Sequence, residues 1–309
     1  MTCLVTGGCG FIGSHVCEAL ISRGEKVRVL DDLSTGSLDN LSALHGRVEL
    51  VEGDIRDGKT VASAMKGVTR VCHLAALVLV ADSVRRPADT HSINVDGTFR
   101  LLFQAKEEGV ARFVMASTSS IYGNRPELPK HEDMQPAPES PYALSKLIGE
   151  HYCRLFSSLY GLPTACLRYF NVYGPRQDPS SEYSGVIAKF ADNVARGRAP
   201  VIHGDGTQSR DFIFVKDVAE ATARALFAPG LGRGEAVNVG TGRRVSVNEV
   251  YEAIRELARS TREADHGPER PGDVKHLVAD VTRARELLQW SAERVFPEGL
   301  AETLSLAGA

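Results

Sequence analysis

Three side chains in the middle of this 309-residue chain carry the types and spacing that proton chemistry needs: Thr118, Tyr142 and Lys146. Tyr142 and Lys146 are four residues apart in a stretch that reads as a helix, so they stand one turn apart on one face. A free tyrosine ionises near pH 10, and bringing it near 7 requires about 4 kcal/mol. A neighbouring lysine and an oxidised nicotinamide, both positive, can supply that. Tyr142 would then act as base on a carbinol proton, and Thr118 would hold or relay that proton. Lys146 would tune the tyrosine and hold a ribose, while hydride passes to a cofactor. A tyrosine and lysine at this spacing are common by chance, and the bland alternative is an inert helix-face pair. The hydroxyls of Ser117 and Thr118, at the end of a predicted strand over Arg112–Ala116, are what give the pair a partner.

A dinucleotide site must lie beside such a centre, and the N-terminus carries one. Leu4 to Thr6 end a predicted strand, Ser14 to Ser22 read as a helix, and Gly7, Gly10 and Gly13 lie between them. Glycines at this junction permit a tight turn, close approach to a pyrophosphate and close helix packing. The helix N-terminus offers free amides and partial positive charge to phosphate. The next predicted strand, Lys26 to Leu30, ends on Asp31 and Asp32. An acid about twenty residues past the loop is placed to bond the adenosine ribose and repel a 2′-phosphate, which favours NAD over NADP.

The rest of the first half repeats the same alternation. Strands are predicted at Val48–Glu52, Arg70–Leu74 and Thr164–Leu167, and helices at Gly58–Lys66 and Asp89–Glu108. Ser140 is a good N-cap and Pro141 a good first residue for the helix carrying Tyr142. Alternation of this kind means an α/β fold, a doubly wound parallel Rossmann sheet. Gly7 to Gly13, Asp31, Asp54, Ala75, Ala76 and Ser117 all fall at strand carboxyl ends, where ligands of such sheets bind. Beyond residue 170 the pattern loosens into mixed short elements. The expected division is a cofactor domain over 1–170 and a smaller mixed α/β substrate-binding domain over 171–309. The predicted strands near 212–215 and 236–239 are candidates to return to the first domain. Arg210 and Arg270, in predicted loops of the second domain, are of the type preferred for phosphate.

Composition narrows the classes. The net charge of −3, with acids and bases mixed, gives no nucleic-acid or membrane-surface footprint. No apolar run is long enough to span a bilayer, and no His/Asp/Glu cluster has metal-ligand spacing, so no metal is expected. Cys3, Cys9, Cys17, Cys72, Cys153 and Cys166 are scattered as packing residues, which suits a reducing cytoplasm. His73 reads as a hydrogen-bonded structural histidine, Cys9 as a loop filler and Trp290 as core.

The chain resembles the extended short-chain dehydrogenase/reductase family, and within it the NAD-dependent nucleotide-sugar 4-epimerases. The motifs run in family order: Thr6 to His15, Gly53 to Asp57, His73 to Ala76, Asn94 to Thr98, Tyr142 to Lys146, Arg168 to Gly174, Arg210 to Phe212, and Arg270 to Asp273. The segments Gln177 to Pro179 and Tyr183 to Ile187 look like the UDP-glucose and UDP-N-acetylglucosamine branch. The resemblance implies that NAD is held by Gly7, Gly10, Phe11, Ile12, Gly13, Asp31, Asp32, Ser34, Thr35, Gly36, Asp54, Ile55, Leu74, Ala75, Ala76, Asn94, Ser117, Tyr142, Lys146 and Tyr169. It implies that a UDP-hexose meets Thr118, Ser119, Tyr142, Phe170 and Asn171, with Val186 and Ile202 by the uracil. Arg210 and Arg270 would clamp the diphosphate, with Asp273 on the ribose. It also implies a homodimer built from helices around 92–108 and 141–157.

Chemistry then discriminates among family members. The 4,6-dehydratases place an acid and a base after the hydroxyl residue, and decarboxylating relatives a glutamate; here those places hold Ser119 and Ser120. The expected reaction is therefore inversion of C4 through a transient 4-keto sugar. Leu77, Val78 and Leu79 depart from the family pattern, which often has polar residues there. Leu277 falls where bulk at C2 is gated, leaning slightly to the unsubstituted sugar. The alternatives are a UDP-glucuronate 4-epimerase, for whose C6 carboxylate no clear basic residue is seen, a nucleotide-sugar oxidoreductase, and a non-catalytic NAD-binding protein.

Overall fold

Short runs of β-branched and aliphatic residues, each closed by a turn, build one parallel sheet. The computed structural model describes residues 1–178, 185–269 and 275–306. Six strands come from residues 2–169: β1 (Thr2–Thr6), β2 (Lys26–Asp31), β3 (Val48–Glu52), β4 (Arg70–His73), β5 (Arg112–Thr118) and β6 (Thr164–Tyr169). The chain reverses direction across the sheet between β1 and β4, giving the order β6, β5, β4, β1, β2, β3. Crevices at such a reversal, at the carboxyl ends of the strands, receive ligands.

Helices cover both faces. Helix α1 (Phe11–Ser22) packs on the face whose core holds Val5, Val16, Leu20, Val29 and Leu167. Helices α2 (Gly58–Met65), α5 (Gly97–Glu107) and α6 (Pro141–Tyr160) cover the opposite face with Leu101, Leu102, Phe113, Met115 and Phe156. Each such fully buried side chain contributes roughly 1.5–3 kcal/mol. The helix expected over Asp89–Glu108 runs continuously from Pro87 to Glu107 and is widened by one π turn. Two short helices, α3 (Val80–Arg85) and α4 (Pro87–His91), lead into a π turn at Ser92–Asp96 before α5 begins. Helix α6 starts as its residues predict, with Ser140 Oγ accepting the Ala143 amide, Pro141 in the first turn and Gly161 closing the end at φ +68°.

The second half does not stay apart. Strand Arg233–Val239 joins the central sheet as a seventh strand beside β6, with Val237 opposite Leu167. Helix Val215–Ala225 packs against α1 on the first face. Strand Phe212–Phe214, another candidate to rejoin the first sheet, instead pairs with Asn171–Tyr173 outside it. The remaining short strands pair locally, Ser209–Arg210 with Val245–Ser246 and Val201–His203 with Asp265–Gly267. Their own core gathers Phe190, Phe212, Phe214, Tyr251 and Ile254. A last small cluster of Ile121, Tyr122, Phe170, Leu277 and Ala279 joins this unit to the sheet beside the end of β5.

Candidate active site

The turn after β1 admits only glycine at two of its three marked positions. Gly7 has φ +71°, and a Cβ there would come within 2.7 Å of the Ala75 nitrogen. A Cβ on Gly13 would come within 2.1 Å of the Gly7 carbonyl. Gly10 caps α1 with no side chain at all. The turn is held from below by Asp31, 6% exposed, whose Oδ2 accepts the Cys9 amide at 2.8 Å and whose Oδ1 accepts the Leu33 amide at 2.9 Å. Burial pushes this carboxyl up and the two amides oppose the push. Each oxygen keeps one lone pair for a ribose hydroxyl. Asp32 is exposed and ties down Ser34 through its amide (3.0 Å) and hydroxyl (2.6 Å). Thr35 is exposed, and Gly36 lies against Cys9, where a Cβ would be 2.9 Å from backbone. The Cys9 carbonyl accepts from the Ser37 amide and Asn40 Nδ2; Asn40 was not foreseen. The Cys9 thiol is buried and pushed up to about 12, so it is a filler and no nucleophile.

Two neighbouring segments complete the floor. The Leu74 and Ala75 amides both bond the Thr6 carbonyl, at 3.1 and 3.0 Å, and Ala76 is half-buried beside them. Asp54 spends its carboxylate on Arg56, which takes it from both main chain (2.7 Å) and guanidinium (2.8 Å), and this holds the carboxyl below its usual range. Ile55 is buried under Gly97. Asn94 sits in the π turn and brackets Leu77, accepting its amide at 2.8 Å and donating to its carbonyl at 3.0 Å. Its second Nδ2 hydrogen goes to Ser145 Oγ at 3.0 Å, so both donors expected for a cofactor are used by the protein. Phe11 and Ile12, both half-buried, open α1.

Helix α6 brings the chemical groups to the end of β5. Gly149 permits this, since a Cβ there would come within 2.7 Å of Met115 Sδ on β5. With the helix this close, Lys146 Nζ reaches the Ala116 carbonyl at 3.0 Å. Lys146 is 5% exposed, and burial pulls its ammonium down to about 8. The Tyr142 phenol stands near the Thr118 hydroxyl at the end of β5. Thr118 Oγ1 also faces the exposed Ser120 hydroxyl at 3.1 Å and accepts the Ser120 amide, capping a 3₁₀ turn over Ser119–Tyr122. Burial raises the Tyr142 phenol above its ordinary value, and only the nearby Thr118 hydroxyl opposes it. The expected lowering is therefore absent in the chain alone: Lys146 spends a hydrogen bond on the strand and makes none to the phenol. A second positive charge must come from a ligand.

Behind these groups lies a buried network that the sequence did not reveal. Glu150 accepts from Ser117 Oγ at 2.5 Å and takes Arg168 in a two-point pair at 3.0 and 2.8 Å. Arg168 Nη1 donates on to the Tyr122 hydroxyl at 2.9 Å, which donates to Asn238 Oδ1 at 2.6 Å. Glu150 and Arg168 are each 3% exposed. The signal was available, since Glu150 continues the stripe of Tyr142 and Lys146 at four-residue spacing, but nothing linear names its partner. Ser117, expected to face a cofactor, thus gives its hydroxyl proton to Glu150.

Other expected ligand residues fare unevenly. Tyr169 turns its phenol to Thr222 of the helix over 215–225, at 2.7 Å, on the sheet face away from α6. Phe170 is buried in the cluster with Tyr122 and Leu277, and the Asn171 amide bonds the Asp211 carbonyl at 3.0 Å. Ser119 is 7% exposed beside Thr118. Val186 opens the helix Val186–Ala195, half-buried, whereas Ile202 is 3% exposed and belongs to the core around Phe190 and Tyr251. Arg210 is half-buried, with Nη1 donating to the Ser209 carbonyl at 3.0 Å. Its neighbour Asp211 is fully buried and gathers the Thr241, Gly242 and Ala279 amides, which fixes the strand that carries Arg210. Arg270 and Asp273 lie outside the described residues, as do Tyr183 and Ser184. Among the described residues no group of three or more His, Cys, Asp or Glu is placed to hold a metal, and no helix is long and apolar enough to cross a membrane.

Comparison with known proteins shows the family and the fold. The family model described as GDP-mannose 4,6 dehydratase matches residues 4–303. The chain is 40% identical over 308 residues to a UDP-glucose 4-epimerase of Mycolicibacterium smegmatis, covering 98% of this chain and 97% of that one. It superposes on the UDP-N-acetylglucosamine 4-epimerase of Methanobrevibacter ruminantium, solved with UDP-N-acetylmuramic acid, with TM-score 0.95, 37% identity and 99% and 97% of the two chains covered. For the UDP-glucose 4-epimerase of Thermus thermophilus in complex with NAD, the TM-score is 0.90 at 40% identity over 99% and 98%.

Proposed function

Since the chain belongs to the GDP-mannose 4,6 dehydratase family of NAD-dependent epimerases and dehydratases, we propose that it inverts C4 of a UDP-hexose. The favoured substrates are UDP-glucose and UDP-galactose, then their N-acetyl forms, and NAD is the resident cofactor. The observation that carries this reading is the buried Tyr142 phenol near the Thr118 hydroxyl at the end of β5, one helical turn from a buried Lys146 that holds the Ala116 carbonyl, followed by hydroxyls and not carboxylates at 119 and 120. The glycine turn, where a Cβ would strike backbone, and Asp31, with lone pairs still open, fit a dinucleotide.

NAD, when bound, supplies the hydride acceptor and the positive nicotinamide. Everything else falls to the chain. Tyr142 takes the proton of the C4 hydroxyl and later returns it to that same oxygen, after the 4-keto sugar has turned its other face toward the cofactor, which is what inverts C4. Thr118 stands beside that exchange: its hydroxyl donates a hydrogen bond to Ser120 in the structure, and it would turn that donation toward the phenolate once Tyr142 is ionised. Lys146 keeps a positive charge below pH 8 and favours the phenolate. Because neither Ser119 nor Ser120 can act as a second acid and base, the 4-keto sugar has no elimination route and returns to the hexose. Arg210, set by the Asp211 staple, is the described residue proposed to bind the diphosphate.

A homodimer is part of this proposal. Phe99 and Phe103 on α5 and Leu144, Leu155 and Leu159 on α6 are 43–66% exposed, and a large apolar patch on two adjacent helices marks an interface. Leu159→Glu would convert a dimer to monomer in light scattering; an unchanged mass removes this interface. The buried free thiols suit a reducing compartment.

The test is direct. The purified protein is incubated separately with UDP-glucose, UDP-N-acetylglucosamine and UDP-glucuronate without added cofactor, and the C4 epimer is sought. Turnover of the first is expected. Exclusive turnover of UDP-glucuronate would transfer the assignment to that substrate, and a stoichiometric demand for NAD would replace epimerase by oxidoreductase.

A further inference from the structure

A buried string of polar atoms, unused by the reaction above, runs from the glycine turn to the tyrosine helix. The Ala75 amide donates to Thr6 Oγ1 (3.2 Å), and Thr6 Oγ1 lies 2.8 Å from His73 Nδ1. His73 Nε2 lies 2.8 Å from Thr98 Oγ1, which donates to the Asn94 carbonyl at 2.6 Å. The string resumes at the Asn94 side chain, whose Nδ2 donates to Ser145 Oγ at 3.0 Å, and Ser145 Oγ donates to the Tyr142 carbonyl at 2.8 Å. Thr6, His73, Thr98, Asn94 and Ser145 are 0–4% exposed.

One arrangement of protons satisfies every link. A carbonyl only accepts, so the Thr98 proton is committed to Asn94 and its oxygen must accept from His73 Nε2–H. Burial and the nearby Lys146 charge disfavour a second ring proton, so Nδ1 accepts the Thr6 hydroxyl. Thr6 then has an oxygen lone pair for the Ala75 amide. The ends of the string are equally constrained. Thr6 immediately precedes Gly7, whose turn leaves no room between it and Ala75. Asn94 lies in the π turn, and such single widened turns recur at functional sites.

We propose that His73, fixed as the Nε2–H tautomer, is a positioning residue that sets the Tyr142 turn relative to the glycine loop through Thr98, Asn94 and Ser145. The proposal rests on Tyr142 as the proton-transferring group. Its effect is on the reacting geometry: a misplacement of about 1 Å costs up to about a hundredfold in rate. A histidine that merely filled the core would alter stability and leave the rate per folded molecule alone.

The test uses the holoenzyme. Thr98→Val is isosteric but removes both bonds of the hydroxyl, and Thr98→Ser keeps them. Valine lowers kcat on the order of tenfold with KM for the UDP-sugar within about twofold, and serine restores kcat. If valine prevents folding, Ser145→Ala cuts the last link and is read the same way. Wild-type kcat in the valine or alanine variant overturns the positioning role. Nitrogen-15 NMR of the wild-type protein reads His73 without any variant: an unprotonated Nδ1 and protonated Nε2 across the neutral range support the string, and the opposite tautomer or a ring that titrates there overturns it. If the wild-type protein turns over no UDP-sugar, the functional reading fails, while the NMR result still decides the tautomer.

Discussion

Replacing Lys146 by methionine keeps the apolar stem and deletes the charge. Lys146 is 5% exposed, and burial draws its ammonium from 10.5 to about 8. At about 1.4 kcal/mol per pKa unit, the buried charge costs the fold about 3 kcal/mol at neutral pH. The folded state holds this proton less tightly than the unfolded chain does. The cost is therefore fully present below pH 8 and fades as pH climbs toward 10.5, where the unfolded chain also loses its proton. Methionine also abandons the Ala116 carbonyl, and an unpaired buried carbonyl costs about 1–3 kcal/mol. That loss does not vary with pH, so the pH dependence of the stability difference isolates the charge. Denaturant unfolding of both cofactor-free proteins at about pH 7 and about pH 10 measures it, and the wild type gains about 2 kcal/mol on the variant between the two. A difference that stays constant would refute the reasoning, because a charge buried at such cost must be released as it titrates. The same variant loses turnover, since the charge that favours the Tyr142 phenolate is gone, so the site holds this residue against the interest of stability.

Further outcomes follow from the same geometry. Tyr142→Phe leaves folding and bound NAD intact and lowers epimerisation by about 10²–10⁴-fold, the range for a lost acid–base group, in an assay of UDP-galactose formation; a normal rate removes the proposed base. Glu150→Ala strands the buried Arg168 charge and destabilises by about 3–5 kcal/mol in thermal or denaturant unfolding, and a loss under about 1 kcal/mol would mean the pair is not desolvated. Gly7→Ala forces a Cβ against the Ala75 nitrogen at a positive φ, and calorimetric titration should show NAD binding weakened by more than tenfold, where unchanged affinity would place the dinucleotide elsewhere.

Glycines at 7, 10 and 13, an acid closing the second strand, and regular alternation of strand and helix were enough to read the sheet and its cofactor end. Those signals are local: a turn that excludes Cβ, a period of two or 3.6, a cap such as Ser140 before Pro141. Tyr142 and Lys146 were legible for the same reason, since one helical turn relates them whatever the rest of the chain does. What lay beyond reach was every relation across long sequence distance. That Arg168 answers Glu150, that Tyr169 turns away to Thr222, and that Asn94 spends its amide on Leu77 and Ser145 depend on which face of a strand or helix meets which neighbour. The same holds for Ile202, apolar in either reading and assigned to the core only by its neighbours. Residue type and spacing determined the chemistry this chain carries; packing of α6 on β5, through the missing side chain of Gly149, decided which atoms meet, because buried polar groups take whatever partner the assembled layers leave within reach.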